Sequence, residues 1–200
     1  MSTVTFSRLI EAPADELWRV FTDLPARPRW LCHVHAVEVL ATAPGGTDPP
    51  SALGAGAGAG AMAAPGPGAG FGIGTVWRER RTGPDGTGMV EEFAVREAAP
   101  PRRLVISSSG DGVDYLTTYT FIPVEARRSG RRRSEPRRPG RGRTVLTVSH
   151  EGVPTARYGR LLAVVFGGLA ARAGEGALRR DLADLATATE PGRIDPATAA

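Results

Sequence analysis

The feature that most constrains this chain is a change of period. Residues 72–81, 89–97, 103–109, 113–123 and 143–151 each carry the two-residue alternation of a strand. From 154 to about 189 the apolar residues recur instead at three- and four-residue steps. Connections such as Thr-Gly-Pro-Asp-Gly-Thr-Gly at 82–88 and Gly-Asp-Gly at 110–112 are short and rich in turn residues, which predicts antiparallel neighbours. Leu161, Val165, Leu169, Leu178, Leu182 and Leu185 fall on one face of a long C-terminal helix. A sheet and a helix that are each apolar on one face have to bury those faces against each other.

The N-terminal third completes the pattern. Residues 4–10 read as a first strand. Pro13 suits a first helical turn, and Asp15 and Glu16 suit the positive end of a helix whose apolar face is Leu17, Val20, Phe21 and Leu24. Leu-Pro-Ala-Arg-Pro-Arg-Trp at 24–30 stops that helix and permits a short second one. Residues 35–40 make a further strand, giving seven in all. The expectation is therefore an α+β domain, with a seven-stranded antiparallel sheet around one long helix and two short helices after strand 1.

Two stretches break the pattern without ending it. Residues 42–70 are nearly all Ala, Gly and Pro, and 125–143 are rich in Arg, Pro and Gly. Such segments have little side-chain area to bury against their backbone entropy, so both read as flexible insertions in a single domain spanning 1–190. Residues 191–200 read as a disordered tail. The net charge of +4 belongs to the second insertion, where nine arginines face two glutamates for a local net of +7; the remainder is net −3. Nucleic acid is therefore not the expected partner, although an interaction role for the Arg-rich loop is a third functional option. The longest apolar run, 161–171, is too short for a span of about 20 residues, which leaves peripheral membrane contact at most. One cysteine, Cys32, and no cationic–apolar leader at the start point to a cytoplasmic protein.

Several segments carry a resemblance. Ile-Glu-Ala-Pro-Ala-Asp-Glu-Leu-Trp-Arg-Val-Phe-Thr-Asp at 10–23, Trp30, Gly-Thr-Val-Trp-Arg-Glu at 74–79, Pro-Pro-Arg-Arg-Leu at 100–104 and Thr-Thr-Tyr-Thr-Phe at 117–121 resemble the SRPBCC (START-like) superfamily. The likeness is strongest to its polyketide cyclase/dehydrase-like members. It implies the helix-grip fold and an apolar ligand cavity between sheet and last helix.

Alternation sorts the candidate residues. Ile73, Thr75, Trp77 and Glu79 share one face of their strand, with Val76, Arg78 and Arg80 on the solvated side. Met89, Glu91, Phe93 and Val95 form one inward row, and Val113, Tyr115, Thr117, Tyr119 and Phe121 another. The strand holding Val145, Thr147 and Ser149 on one side and Leu146, Val148 and His150 on the other can face either way. A face carrying two glutamates and two tyrosines is too polar for a dry core. Glu79 and Glu91 should therefore border a cavity, water or a cation such as Arg172, or else lie at the sheet rim. The candidate ligand-binding set is Trp77, Glu79, Glu91, Phe93, Tyr115, Thr117 and Tyr119 from the sheet, with Phe166 and Leu169 from the helix.

Binding or transport of a small hydrophobic or aromatic molecule is the first functional expectation. An aromatase/cyclase-type enzyme of polyketide biosynthesis is the alternative, with Glu79, Glu91, Tyr115, Tyr119 or His150 moving protons. The sequence has no Gly-x-Ser-x-Gly elbow, phosphate loop or dinucleotide fingerprint, so no cofactor is expected. Cys32, His33 and His35 lack the second clustered pair of a structural zinc site, and a strand through 32–33 would turn the thiol away from the imidazole. No metal site is expected on that ground.

Overall fold

The computed structural model describes residues 2–43, 70–83, 86–110, 112–124, 142–155 and 175–189. Its seven strands are β1 (Ser2–Ile10), β2 (Val34–Ala41), β3 (Val76–Thr82), β4 (Gly88–Ala99), β5 (Arg103–Gly110), β6 (Val113–Val124) and β7 (Arg143–Pro154). They form one antiparallel sheet in the order β1-β7-β6-β5-β4-β3-β2. Helix α1 (Ala14–Thr22), a 3-10 turn at Leu24–Ala26 and the one-turn helix α2 (Arg27–Trp30) lie between β1 and β2. The C-terminal helix α3 is described over 175–189. The antiparallel sheet and C-terminal helix expected from the period change, and the helix-grip fold that the resemblance implies, are observed, and among the described residues no helix is long and apolar enough to cross a membrane.

The local causes are legible. Pro13 caps α1 with extended backbone, and Asp15 and Glu16 occupy its first turn. Leu17 and Phe21, four apart, are buried together and lie on the sheet side. Phe21 meets Tyr119 at 4.7 Å between ring centroids, and Trp18 meets Phe121 edge-on at 5.7 Å. On α3, Leu178, Leu182, Leu185 and Ala186 supply the stripe that joins this core. Ile10, Trp77, Val95, Leu104, Ile106, Phe121, Leu146 and Val148 complete it from the sheet. Fully burying each large apolar side chain contributes about 1.5–3 kcal/mol, so this shared core is the main force holding α1 and α3 to the sheet.

Most of the predicted facing holds, with two corrections and one open strand now assigned. Trp77, Glu79, Val95, Thr117, Tyr119 and Phe121 are inward. Ile73 is 58% exposed, because β3 begins only at Val76 and residues 72–74 form a turn with Gly74 at positive φ. Met89 is 41% exposed, because it lies where the β3–β4 hairpin runs out of the core. The undecided strand, β7, turns Thr144, Leu146 and Val148 inward and places His150 and Gly152 on that same face. The expected insertions fall mostly outside the described residues, as do Phe166, Leu169, Arg172, most of the Arg-rich run and the tail. The two described ends of the first insertion meet: Ala43 N donates to Gly70 O at 3.0 Å.

Candidate functional site

Two polar constructions occupy the inward side of the sheet. The first is a buried ion network. Antiparallel register sets Glu79 of β3 directly opposite Glu91 of β4, a repulsive placement unless cations intervene. Two do. Arg27, projecting from α2, brings Nε to 2.8 Å from Glu79 Oε1, although its N–H is not directed along that line. Arg81 shares the inward parity of Glu79 and lies between the two carboxylates. Its Nη1 donates to Glu91 Oε2 at 3.2 Å, and its Nε is 3.9 Å from Glu79 Oε2. Trp77 Nε1 donates to Glu79 Oε1 at 2.9 Å, and Ser108 Oγ donates to Glu91 Oε1 at 3.1 Å. From α3, Asp181 accepts from Arg81 Nη2 at 3.2 Å and lies 2.8 Å from His33 Nε2.

Glu79 has 0% exposure, so it is not a rim residue. The cation it needs is supplied by α2 and β3. The residue suggested for that role, Arg172, lies outside the described residues. The guanidinium of Arg27 also sits over three rings, 5.1 Å from Phe21, 5.6 Å from Trp30 and 5.8 Å from Trp77. Burial works against the charge of Arg81, but Asp181, Glu79 and Glu91 outweigh it and raise its pKa. Burial likewise disfavours the Asp181 carboxylate, yet His33 and Arg81 hold its pKa below the ordinary value. Arg27, Arg81 and Asp181 are not among the sequence candidates, and His33 is weighed there only as a metal ligand. Only Arg81 carried a signal, its parity with Glu79.

The second construction is an aromatic row. Cross-strand pairing aligns Trp77, Phe93, Ser108, Tyr115 and Gly152 over five adjacent strands. Trp77 and Phe93 stack at 5.2 Å. Tyr115 stacks on His150 at 5.1 Å with the rings 13° apart. Gly152 leaves room for the ring, since a Cβ there would lie 3.3 Å from Tyr115 Cε1 and push it by a few tenths of an ångström. Thr117 Oγ1 and His150 Nδ1 are 2.8 Å apart in hydrogen-bond contact. Burial lowers the His150 pKa and favours the neutral ring. The row is sealed at its ends, Trp77 and Gly152, and half-buried at Phe93, Ser108 and Tyr115; His150, beside it on β7, is half-buried as well. Tyr119, by contrast, is a core residue packed on Phe21, and burial followed by the nearby Asp181 raises its hydroxyl pKa.

A third cluster lies where α2, β2 and α3 meet. Cys32 and His33 occupy the turn before β2, with the Cys32 Sγ 3.8 Å from His33 Nδ1. Asp184 of α3 accepts from Cys32 N at 3.0 Å. Hydrogen bonding to Asp184, followed by burial, raises the Cys32 thiol. A groove of about 450 Å³ opens beside them between Trp30, His35 and Thr187.

No curated protein sequence matches the chain. Among solved structures, it is similar to the Zhui aromatase/cyclase of Streptomyces sp. R1128, with TM-score 0.64 and 16% identity over 98% of this chain and 97% of that one. It is similar to norcoclaurine synthase from Thalictrum flavum, with TM-score 0.60 and 12% identity over 96% and 95%. The di-domain aromatase/cyclase BexL of the BE-7585A biosynthetic pathway gives TM-score 0.57 and 17% identity over 96% of this chain; the chain spans 51% of that protein's length. At these identities the likeness establishes the fold. The sequence model for polyketide cyclase/dehydrase and lipid transport proteins matches residues 1–190, and the chain belongs to that family.

Proposed function

We propose that this chain binds a small apolar or aromatic molecule against the half-open stretch of its inward face. The observation that carries the reading is the contrast along one cross-strand row. Trp77 and Gly152 at its two ends are sealed, while Phe93, Ser108 and Tyr115 between them keep accessible surface, as does His150 stacked on Tyr115. Aromatic walls with a few fixed polar groups are what a pocket for a flat, weakly polar molecule needs. Thr117 and His150 orient such a molecule, and Phe93 and Tyr115 stack on it. Phe166 and Leu169 remain proposed contributors from the helix, and Glu79, Glu91 and Tyr119 are supporting residues rather than contacts. The test is native mass spectrometry of the gently purified protein, alone and with a panel of planar aromatic and acyl compounds. The expected result is a saturable 1:1 complex that Phe93→Ala and Tyr115→Ala weaken. Absence of any complex across the panel would overturn the reading.

A catalytic version rests on His150. A neutral, half-buried imidazole held by Thr117 is suited to accept a proton from a bound polyketide-like chain. Under that version His150→Ala abolishes turnover although a 1:1 complex, weakened by loss of the orienting ring, still forms. Undiminished turnover in the variant would exclude it.

A further inference from the structure

We infer that Cys32 Sγ, His33 Nδ1 and a carboxylate oxygen of Asp184 form a site for a borderline-soft divalent cation, with Zn2+ as the first choice. The strand that would have separated thiol and imidazole begins only at Val34. Cys32 and His33 lie in the preceding turn, which lets both point the same way. The three ligand atoms lie within 4.8 Å of one another. In a tetrahedral zinc site, bonds of about 2.0–2.3 Å place ligand atoms roughly 3.3–3.8 Å apart. The Cys32–His33 separation of 3.8 Å meets that range as it stands.

A second observation comes from outside the trio. Ligating histidines usually anchor the far ring nitrogen on a carboxylate, and His33 Nε2 lies 2.8 Å from Asp181 Oδ1. Arg81 Nη2 also touches Nε2, and a guanidinium asks for a lone pair there while the carboxylate asks for an N–H. A cation on Nδ1 decides between them. It fixes the proton on Nε2 for Asp181 Oδ1, a buried acceptor that otherwise has no hydrogen-bond partner, and Arg81 then has to withdraw from Nε2 onto Glu91 and the other oxygen of Asp181. The backbone N–H of Cys32 holds Asp184 in place. On binding, the thiol proton leaves to solvent, and thiolate plus carboxylate balance the two positive charges. Sulfur, imidazole and carboxylate together select zinc-like ions over Mg2+ or Ca2+. Three protein ligands leave a fourth position on the side of the groove, open to water or to an anionic group of a guest.

The test uses the full chain and the metals alone. Co2+ titration should saturate at one equivalent and give the visible bands of a four-coordinate ion with a near-ultraviolet thiolate-to-cobalt band. Zn2+ should displace it. Loss of outer-shell support alone costs about 10–100-fold in affinity, so Cys32→Ser and Asp184→Asn should each weaken Zn2+ by at least about 10-fold. Cys32→Ser should also erase the thiolate band, while His35→Ala changes neither. The exposed position of Cys32 makes its variant safe for folding, which circular dichroism checks. A cobalt spectrum with no thiolate band, or Cys32→Ser binding Zn2+ as tightly as the parent, would overturn the assignment.

Discussion

Glu79→Gln removes one charge from the centre of the ion network while preserving shape and an acceptor for Trp77 Nε1. Glu79 is fully buried, and the Arg27 side chain opposite it is 8% exposed, so water cannot replace the lost partner. Breaking a buried pair from one side costs about 3–5 kcal/mol, because the orphaned charge stays in low dielectric. For a chain of this size each kcal/mol moves Tm by about 2–4 °C, so the expected fall is roughly 6–20 °C. The structure also predicts what rescues it. Glu79→Leu combined with Arg27→Met removes one charge of each sign and leaves Arg81 with Glu91 and Asp181. The Met thioether keeps favourable contact with the rings of Phe21, Trp30 and Trp77. Such paired replacements are often neutral or stabilising. Urea denaturation of the parent, both single variants and the double variant closes the cycle. A Glu79→Gln loss below about 1 kcal/mol, or a double variant as damaged as the sum of its parts, would refute the network as a mutually dependent unit.

Three further outcomes are expected. Asp181 has a lowered folded pKa, so its contribution is present above the ordinary aspartate value of 3.8 and lost as pH falls through the lower folded value; Asp181→Asn should flatten that acid limb of the urea midpoint, and an unchanged limb would exclude it. Tyr119 has a raised pKa, so its contribution is present below pH 10.0 and lost as pH rises beyond it; Tyr119→Phe should remove this alkaline sensitivity in the same melts. Leu185→Ala, at the centre of the α3 stripe, should cost about 2–5 kcal/mol in urea denaturation, and a loss below 1 kcal/mol would mean that α3 is not seated as described.

The strands were readable because one face of each is buried, which imposes a two-residue rhythm that survives even where Glu79 interrupts the apolar series. The partner of Glu79 was not readable in the same way. Arg27 comes from the segment that breaks α1, and nothing in a local pattern says that a residue there turns back over the third strand. Arg81 shares the parity of Glu79, but a run of four charged residues, Arg78 to Arg81, reads as a solvated edge when taken whole. Asp181 sits one residue before Leu182, beside the apolar stripe of α3, and only the helix's rotation against the sheet brings it to Arg81 and His33. Cys32 and His33 diverge only if extended backbone runs through them, and they lie instead in the turn before β2. In each case the missing information was the docking of one element on another, which periodicity does not encode. The aromatic row was partly visible, since Trp77, Phe93 and Tyr115 were each assigned inward. Their alignment into one row depends on register, which turn lengths alone did not fix.

The hydrogen bond from Ala43 to Gly70 has a separate consequence, for chain length. It brings together the two points at which the Ala/Gly/Pro-rich stretch leaves and rejoins the described fold. Closing a flexible loop costs free energy that grows only with the logarithm of its length, about 0.6 kcal/mol for each doubling. The sheet therefore registers the presence of this join far more strongly than the number of residues between its ends. An insertion between these two points should therefore cost the fold only about 0.6 kcal/mol for each doubling of the intervening length, and it would enter and leave the described fold at adjacent positions.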